Sequence, residues 1–97
     1  MLDQIISAIR ERKVISILYK GHERVVEPHL VGRKTSGNVA LSAWQIRGFS
    51  ESNSQPPWRN YLIKDIREVK VLDEDFNGPR PGYNPNDSTM IEIFAKL

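Results

Sequence analysis

The residues best suited to recognition chemistry are a mixed basic and aromatic set: Tyr19, Arg24, Trp44, Arg47, Trp58, Arg59 and Tyr61. Guanidinium groups supply forked donors that match phosphate or carboxylate, and aromatic rings supply faces on which a base can stack. All seven fall in segments that read as strands, which hold their side chains firmly enough to present such groups on one surface. Along 58–63, Arg59, Tyr61 and Ile63 point to one side while Trp58, Asn60 and Leu62 point to the other. The candidate binding set is therefore Tyr19, Arg24, Trp44, Arg47, Arg59 and Tyr61. In it Arg24, Arg47 and Arg59 would neutralise phosphates, and Tyr19, Trp44 or Tyr61 would stack a base. A plainer role also fits, with Trp44 and Tyr61 in the core and the arginines in rim ion pairs with Glu23, Glu27 and Asp65.

Other chemistry finds little support. His22-Glu23-Arg24-Val25-Val26 opens like a zinc-protease motif, but Val26 stands where the second ligand belongs. His29 is the one further histidine, and with no cysteine the chain has too few ligands for a zinc site unless carboxylates assist. Gly32 and Gly37 lack the lysine-serine sequel of a phosphate-cradling loop. Asp73-Glu74-Asp75 reads as a solvated acidic corner, and no serine and histidine are spaced for a triad. The expectation is a protein that is not an enzyme and needs neither metal nor cofactor.

The charge distribution fits either an anionic partner or a scatter of solvated charges. The net charge is only +2 over 97 residues. Residues 1–50 nevertheless carry eight Lys/Arg against four acids, and residues 51–97 carry six against eight. Such a split draws an anion to one face if the fold gathers the basic side chains. With 39% hydrophobic and 27% charged residues, the chain has ordinary globular composition. It suits a single domain with a thin core. No apolar run approaches a membrane span, Met1-Leu2-Asp3 does not open like a signal peptide, and cysteine is absent. A cytoplasmic protein with no membrane partner is expected.

The elements that must position these groups follow from periodicity. Leu2, Ile5, Ile6 and Ile9 recur at helical spacing, so residues 2–12 read as a short amphipathic helix. Val14–Tyr19 is apolar and β-branched, with Lys20-Gly21 as a turn and Arg24–Val31 as the returning strand. Pro28 cannot donate to a ladder, which places it at an edge, bulge or break. A third strand runs from Val39 to Arg47, a fourth from Trp58 to Ile63, and Ile66, Val69 and Val71 mark a fifth. Gly48 to Pro57 reads as a long polar loop. Eight of the ten residues 77–86 are Gly, Pro or Asn, which excludes a helix or central strand there. Over 87–97, Thr89 with Glu92 fits a capping box and Ile91, Phe94 and Leu97 share a face, so a C-terminal helix is expected.

This order of elements resembles the WYL domain, a bacterial ligand-sensing module. Ile5–Arg12 is similar to its lead-in helix, Ile17-Leu18-Tyr19 to its first strand and Arg24-Val25-Val26-Glu27-Pro28 to its basic-to-proline step. Trp58–Ile66 falls on its arginine-rich strand, with Val69, Val71, Leu72 and Phe76 as the sequel. The namesake triplet falls on Val39-Ala40-Leu41, where only Leu41 agrees. Leu62 replaces the second arginine of the later strand, and Asp65 stands where a further arginine often sits. The 77–97 extension looks like that of small stand-alone members.

The resemblance implies a small Sm-like or SH3-like five-stranded barrel, mainly β, with N-terminal and C-terminal helices. Its core would lie at about 13–76 within a single domain spanning 1–97. It also implies a regulatory module, in larger relatives attached to a DNA-binding domain, that binds nucleic-acid strands or nucleotides. The function expected is therefore binding of a short single-stranded nucleic acid or a nucleotide. The alternative is a protein-interaction or homo-oligomerisation module with no small ligand.

Overall fold

The computed structural model describes residues 1–48 and 57–97. The polar loop expected between Gly48 and Pro57 lies almost wholly outside the described residues. One helix opens the chain: α1 (Leu2–Glu11) buries Ile5, Ala8 and Ile9. Its register is that of the isoleucine stripe, and it ends where Arg12 turns into the left-handed conformation at φ 54°. Ile5 and Ile9 are fully buried, each side chain worth roughly 1.5–3 kcal/mol of stabilisation. That docking offsets the marginal stability of so short a helix.

Among the described residues six strands follow: β1 (Lys13–Tyr19), β2 (His22–Lys34), β3 (Val39–Gly48), β4 (Trp58–Leu62), β5 (Ile66–Asp75) and β6 (Met90–Lys96). All pairings are antiparallel, in the order β4-β3-β2-β1-β5, with β6 also on β2. The organising element is β2, the longest strand at 13 residues. Its first half pairs with β1 and its second half with β6, while β3 runs along both. Register shifts at Val25/Val26 and Pro28/Leu30 bend it between the two. Pro28 thus sits at a bulge, where a residue without an N–H costs the ladder little.

Ile15, Ile17, Val26, Val31, Leu41 and Tyr61 meet α1 in the main core, on what is here termed the inner face of the sheet. A smaller cluster, Val14, Val25 and Phe76, packs separately.

Two expectations are corrected. The five-stranded barrel is a six-stranded antiparallel sheet that is not closed into a barrel. The C-terminal helix is not formed, because Met90–Lys96 is strand β6. Short apolar runs fit both periods, and here the second half of β2 offers an open row of backbone donors and acceptors that a strand can satisfy. The capping box is not made either. Asp87 accepts bonds from the Thr89 N–H at 2.9 Å and hydroxyl at 2.6 Å, and that hydroxyl accepts from Lys34 Nζ at 3.0 Å. Thr89 therefore closes a turn, and the strand begins at Met90. Gly32 makes the close approach possible, since a Cβ there would stand 2.3 Å from the Glu92 carbonyl oxygen.

Candidate functional site

Cross-strand partners share a face, so the register sorts the six candidate residues. Arg24 lies opposite Ile17, Tyr61 opposite Leu41 and Arg59 opposite Ala43, all on the inner face. Tyr19 belongs to the same core cluster. Trp44 pairs with Glu27 and Trp58 on the other face. Arg47 reaches Glu74 of β5 in an exposed ion pair, which holds the Glu74 carboxyl below and the Arg47 guanidinium above their usual ranges. The structure brings together Tyr19, Arg24, Arg59 and Tyr61, and leaves Trp44 and Arg47 outside that group.

The four make a cation–aromatic nest at one end of the inner face. The Tyr19 and Tyr61 rings meet edge to face with centroids 4.9 Å apart. The Arg24 guanidinium lies 5.1 Å from the first ring and 6.0 Å from the second. Its Nη2 donates to the Tyr19 carbonyl at 3.3 Å. The Tyr61 hydroxyl donates to Gln45 Oε1 at 3.3 Å, and Arg59 Nη1 donates to the Trp58 carbonyl at 2.8 Å.

Burial pushes the Tyr61 phenol above its ordinary ionisation range, while the charges of Arg24 and Arg59 pull it back. Lys20, treated in the sequence only as a turn residue, adds a third cation, its Nζ 5.6 Å from the Tyr19 ring. Its left-handed turn at φ 51° was signalled by Lys20-Gly21, but the aim of its side chain was not.

The rings are not available for stacking. Tyr19 is 7% exposed and Tyr61 1%, so neither presents an open face, and the part given them as stacking platforms is corrected. They hold Arg24, itself 5% exposed, in place.

A second constellation occupies the opposite face and was missed in the sequence. His29 is fully buried beside Trp58 (4.8 Å between centroids), Phe76 (5.6 Å) and Tyr83 (5.4 Å). Its Nε2 accepts the Arg80 backbone N–H at 3.1 Å, so the proton resides on Nδ1, which donates to the Glu27 carbonyl at 2.8 Å. Burial chiefly, with the Arg80 charge, holds its pKa below the ordinary 6.5, against the Glu27 carbonyl and carboxylate, which raise it.

Arg80 Nε and Nη2 donate to the two oxygens of the buried Glu27 carboxylate at 2.7 and 3.0 Å. The same guanidinium lies 5.3 Å from the Trp44 ring. A groove of about 480 Å³ opens alongside, between Glu27, Asp75 and the 76–81 segment. The one sequence signal was an arginine inside a Gly/Pro tract. The sequence pairs Glu27 with arginines of the strands, whereas its partner in the fold is this distant one.

Among the described residues no group of three or more His, Asp or Glu is placed to hold a metal ion. Among the same residues no helix is long and apolar enough to cross a membrane. A scan against protein-family models, a search of the curated proteins and a search of the solved structures each find no match to this chain.

Proposed function

We propose that this protein is a non-enzymatic binding module for a phosphate-bearing ligand, a nucleotide or a short single strand. The ligand is received where Arg24, Arg59 and Lys20 gather about Tyr19 and Tyr61. The observation that carries the reading is the placement of Arg24 and Arg59 on the inner face beside Tyr61, with the Arg24 guanidinium 6.0 Å from that ring. Arg59 of β4, half-buried, and Lys20, exposed, offer donors to a phosphate, and the buried Arg24 of β2, two strands from β4, adds fixed positive charge behind them. Arg24, locked by its carbonyl bond and the two rings, is the preorganised half of the site. Arg59, half-buried, and Lys20, exposed, are the half a ligand meets first. Recognition then rests on phosphate and tolerates many base sequences.

The test is an anisotropy titration of labelled single-stranded DNA and RNA, with free nucleotides as competitors, at low and moderate salt. Two or three phosphate contacts give a slope of log K against log salt of about −1.4 to −2. Absence of binding at low salt and high micromolar protein would overturn the reading.

A second reading, a protein-interaction or oligomerisation surface, has one observation in its favour. Strand β6 presents Ile91 at 63% exposure, the largest value among the exposed large apolar side chains. Light scattering on the full chain and on Ile91→Lys tests it. A monomer in both cases removes it.

A further inference from the structure

The Glu27–His29–Trp44–Trp58 face carries a different recognition chemistry from the phosphate site, and its case is independent of that reading. Four contacts hold the 80–81 backbone and side chain there. The Arg80 guanidinium forks onto the Glu27 carboxylate and lies over Trp44. The Arg80 N–H binds His29, and Trp58 Nε1 donates to the Pro81 carbonyl at 2.8 Å. Glu27 is 4% exposed, which is costly for a carboxylate unless a cation meets it. The sheet thus supplies a carboxylate at the base of a slot, an indole wall for a guanidinium, a second indole as donor to a prolyl carbonyl, and a neutral imidazole as acceptor for a backbone N–H. The guanidinium, the arginyl N–H and the prolyl carbonyl of an arginyl-prolyl dipeptide each have a dedicated partner. None of the four receptor residues belongs to the segment bound.

We infer that this face is a receptor for an arginine-proline peptide segment, filled in cis by the chain's own Arg80-Pro81, which excludes a partner's peptide until the strap is displaced. The segment 77–86 suits the role of a displaceable strap. It has no regular secondary structure, and its prolines limit the entropy lost on docking. An intramolecular ligand competes at an effective concentration in the millimolar range, so a peptide in trans must overcome that occupancy.

Both tryptophans of the chain, Trp44 and Trp58, stand at this face, so their fluorescence reports on it directly. The experiment uses the full chain and a synthetic peptide with the sequence of residues 76–83, which contains no tryptophan. Arg80→Ala removes the cis guanidinium, and its emission is expected to change saturably with the peptide. The apparent Kd should be at least tenfold lower than for the wild type. A peptide with alanine in place of its arginine should give no such change, and Glu27→Gln combined with Arg80→Ala should lose the response. Equal response to both peptides, or none with a folded Arg80→Ala chain up to millimolar peptide, would overturn the inference. Should Arg80→Ala lose its near-ultraviolet circular dichroism, Arg80→Lys gives the same reading. Failure of both variants to fold makes the contact purely structural and also overturns it.

Discussion

Replacing Gly32 by alanine asks whether the tail packs on β2 as a strand. The added Cβ would stand 2.3 Å from the Glu92 carbonyl oxygen and 3.1 Å from the Ile93 Cα, both backbone atoms with no rotamer to escape into. Relief requires β6 to retreat by the better part of an ångström. Ladder bonds of about 2.9 Å then stretch beyond bonding range. The affected register is Gly32 with Ile93 and Arg33 with Glu92. Two lost bonds cost about 1 kcal/mol each, and overpacking adds roughly 1–3 kcal/mol. The sum is about 3–5 kcal/mol, or a fall in Tm of roughly 12–30 °C for a domain of this size. Urea and thermal melts followed by circular dichroism measure it. Gly21→Ala is the control, since nothing lies within 4 Å of that Cβ and only its positive φ of 79° is strained. It should cost about 1 kcal/mol. A Gly32→Ala chain that melts within two or three degrees of the wild type (~0.5 kcal/mol) would refute the β2–β6 packing.

Three further outcomes follow from the same geometry. The unfolded chain takes up the His29 proton before the folded one does. The stabilisation from neutral His29 is thus whole above about pH 6.5 and is lost as pH falls through the lower folded value. Melting temperature against pH, with His29→Phe as the variant lacking that titration, checks the sign. In alkaline ultraviolet titration Tyr61 and Tyr83 ionise late, both raised chiefly by burial, and Tyr61→Phe removes one late group. Arg47→Ala leaves oligonucleotide affinity within about twofold of wild type, because Arg47 is committed to Glu74 outside the inner-face group. Anisotropy measures this, and a tenfold loss would return Arg47 to the site.

Much of this architecture was legible because single residues dictated it. The isoleucine spacing of α1 and the turn at Lys20-Gly21 each follow from local rules, and Pro28 falls at a bulge as its missing N–H requires. Alternation along β4 placed Arg59 and Tyr61 on one face, as found. The misses are non-local. Met90–Lys96 could be helix or strand until the open half of β2 chose, and the capping box at Thr89 was pre-empted by Asp87 two residues earlier. Trp44 and Arg47 were grouped with Arg24 by residue type, but the bulge at Val25/Val26 and the distant partners Trp58 and Glu74 decide where they go. The Glu27–Arg80 pair spans 53 residues, a separation at which pattern gives no register.

The central claim, that Arg59 receives a phosphate beside the fixed charge of Arg24, is tested most directly by the salt dependence of Arg59→Ala against wild type. Anisotropy titrations of one labelled single strand across a series of salt concentrations give both slopes. The account predicts weaker binding at low salt and a slope shallower by about 0.7, the signature of one lost phosphate contact on a single strand. Equal affinities and equal slopes in a variant that melts like the wild type would contradict it.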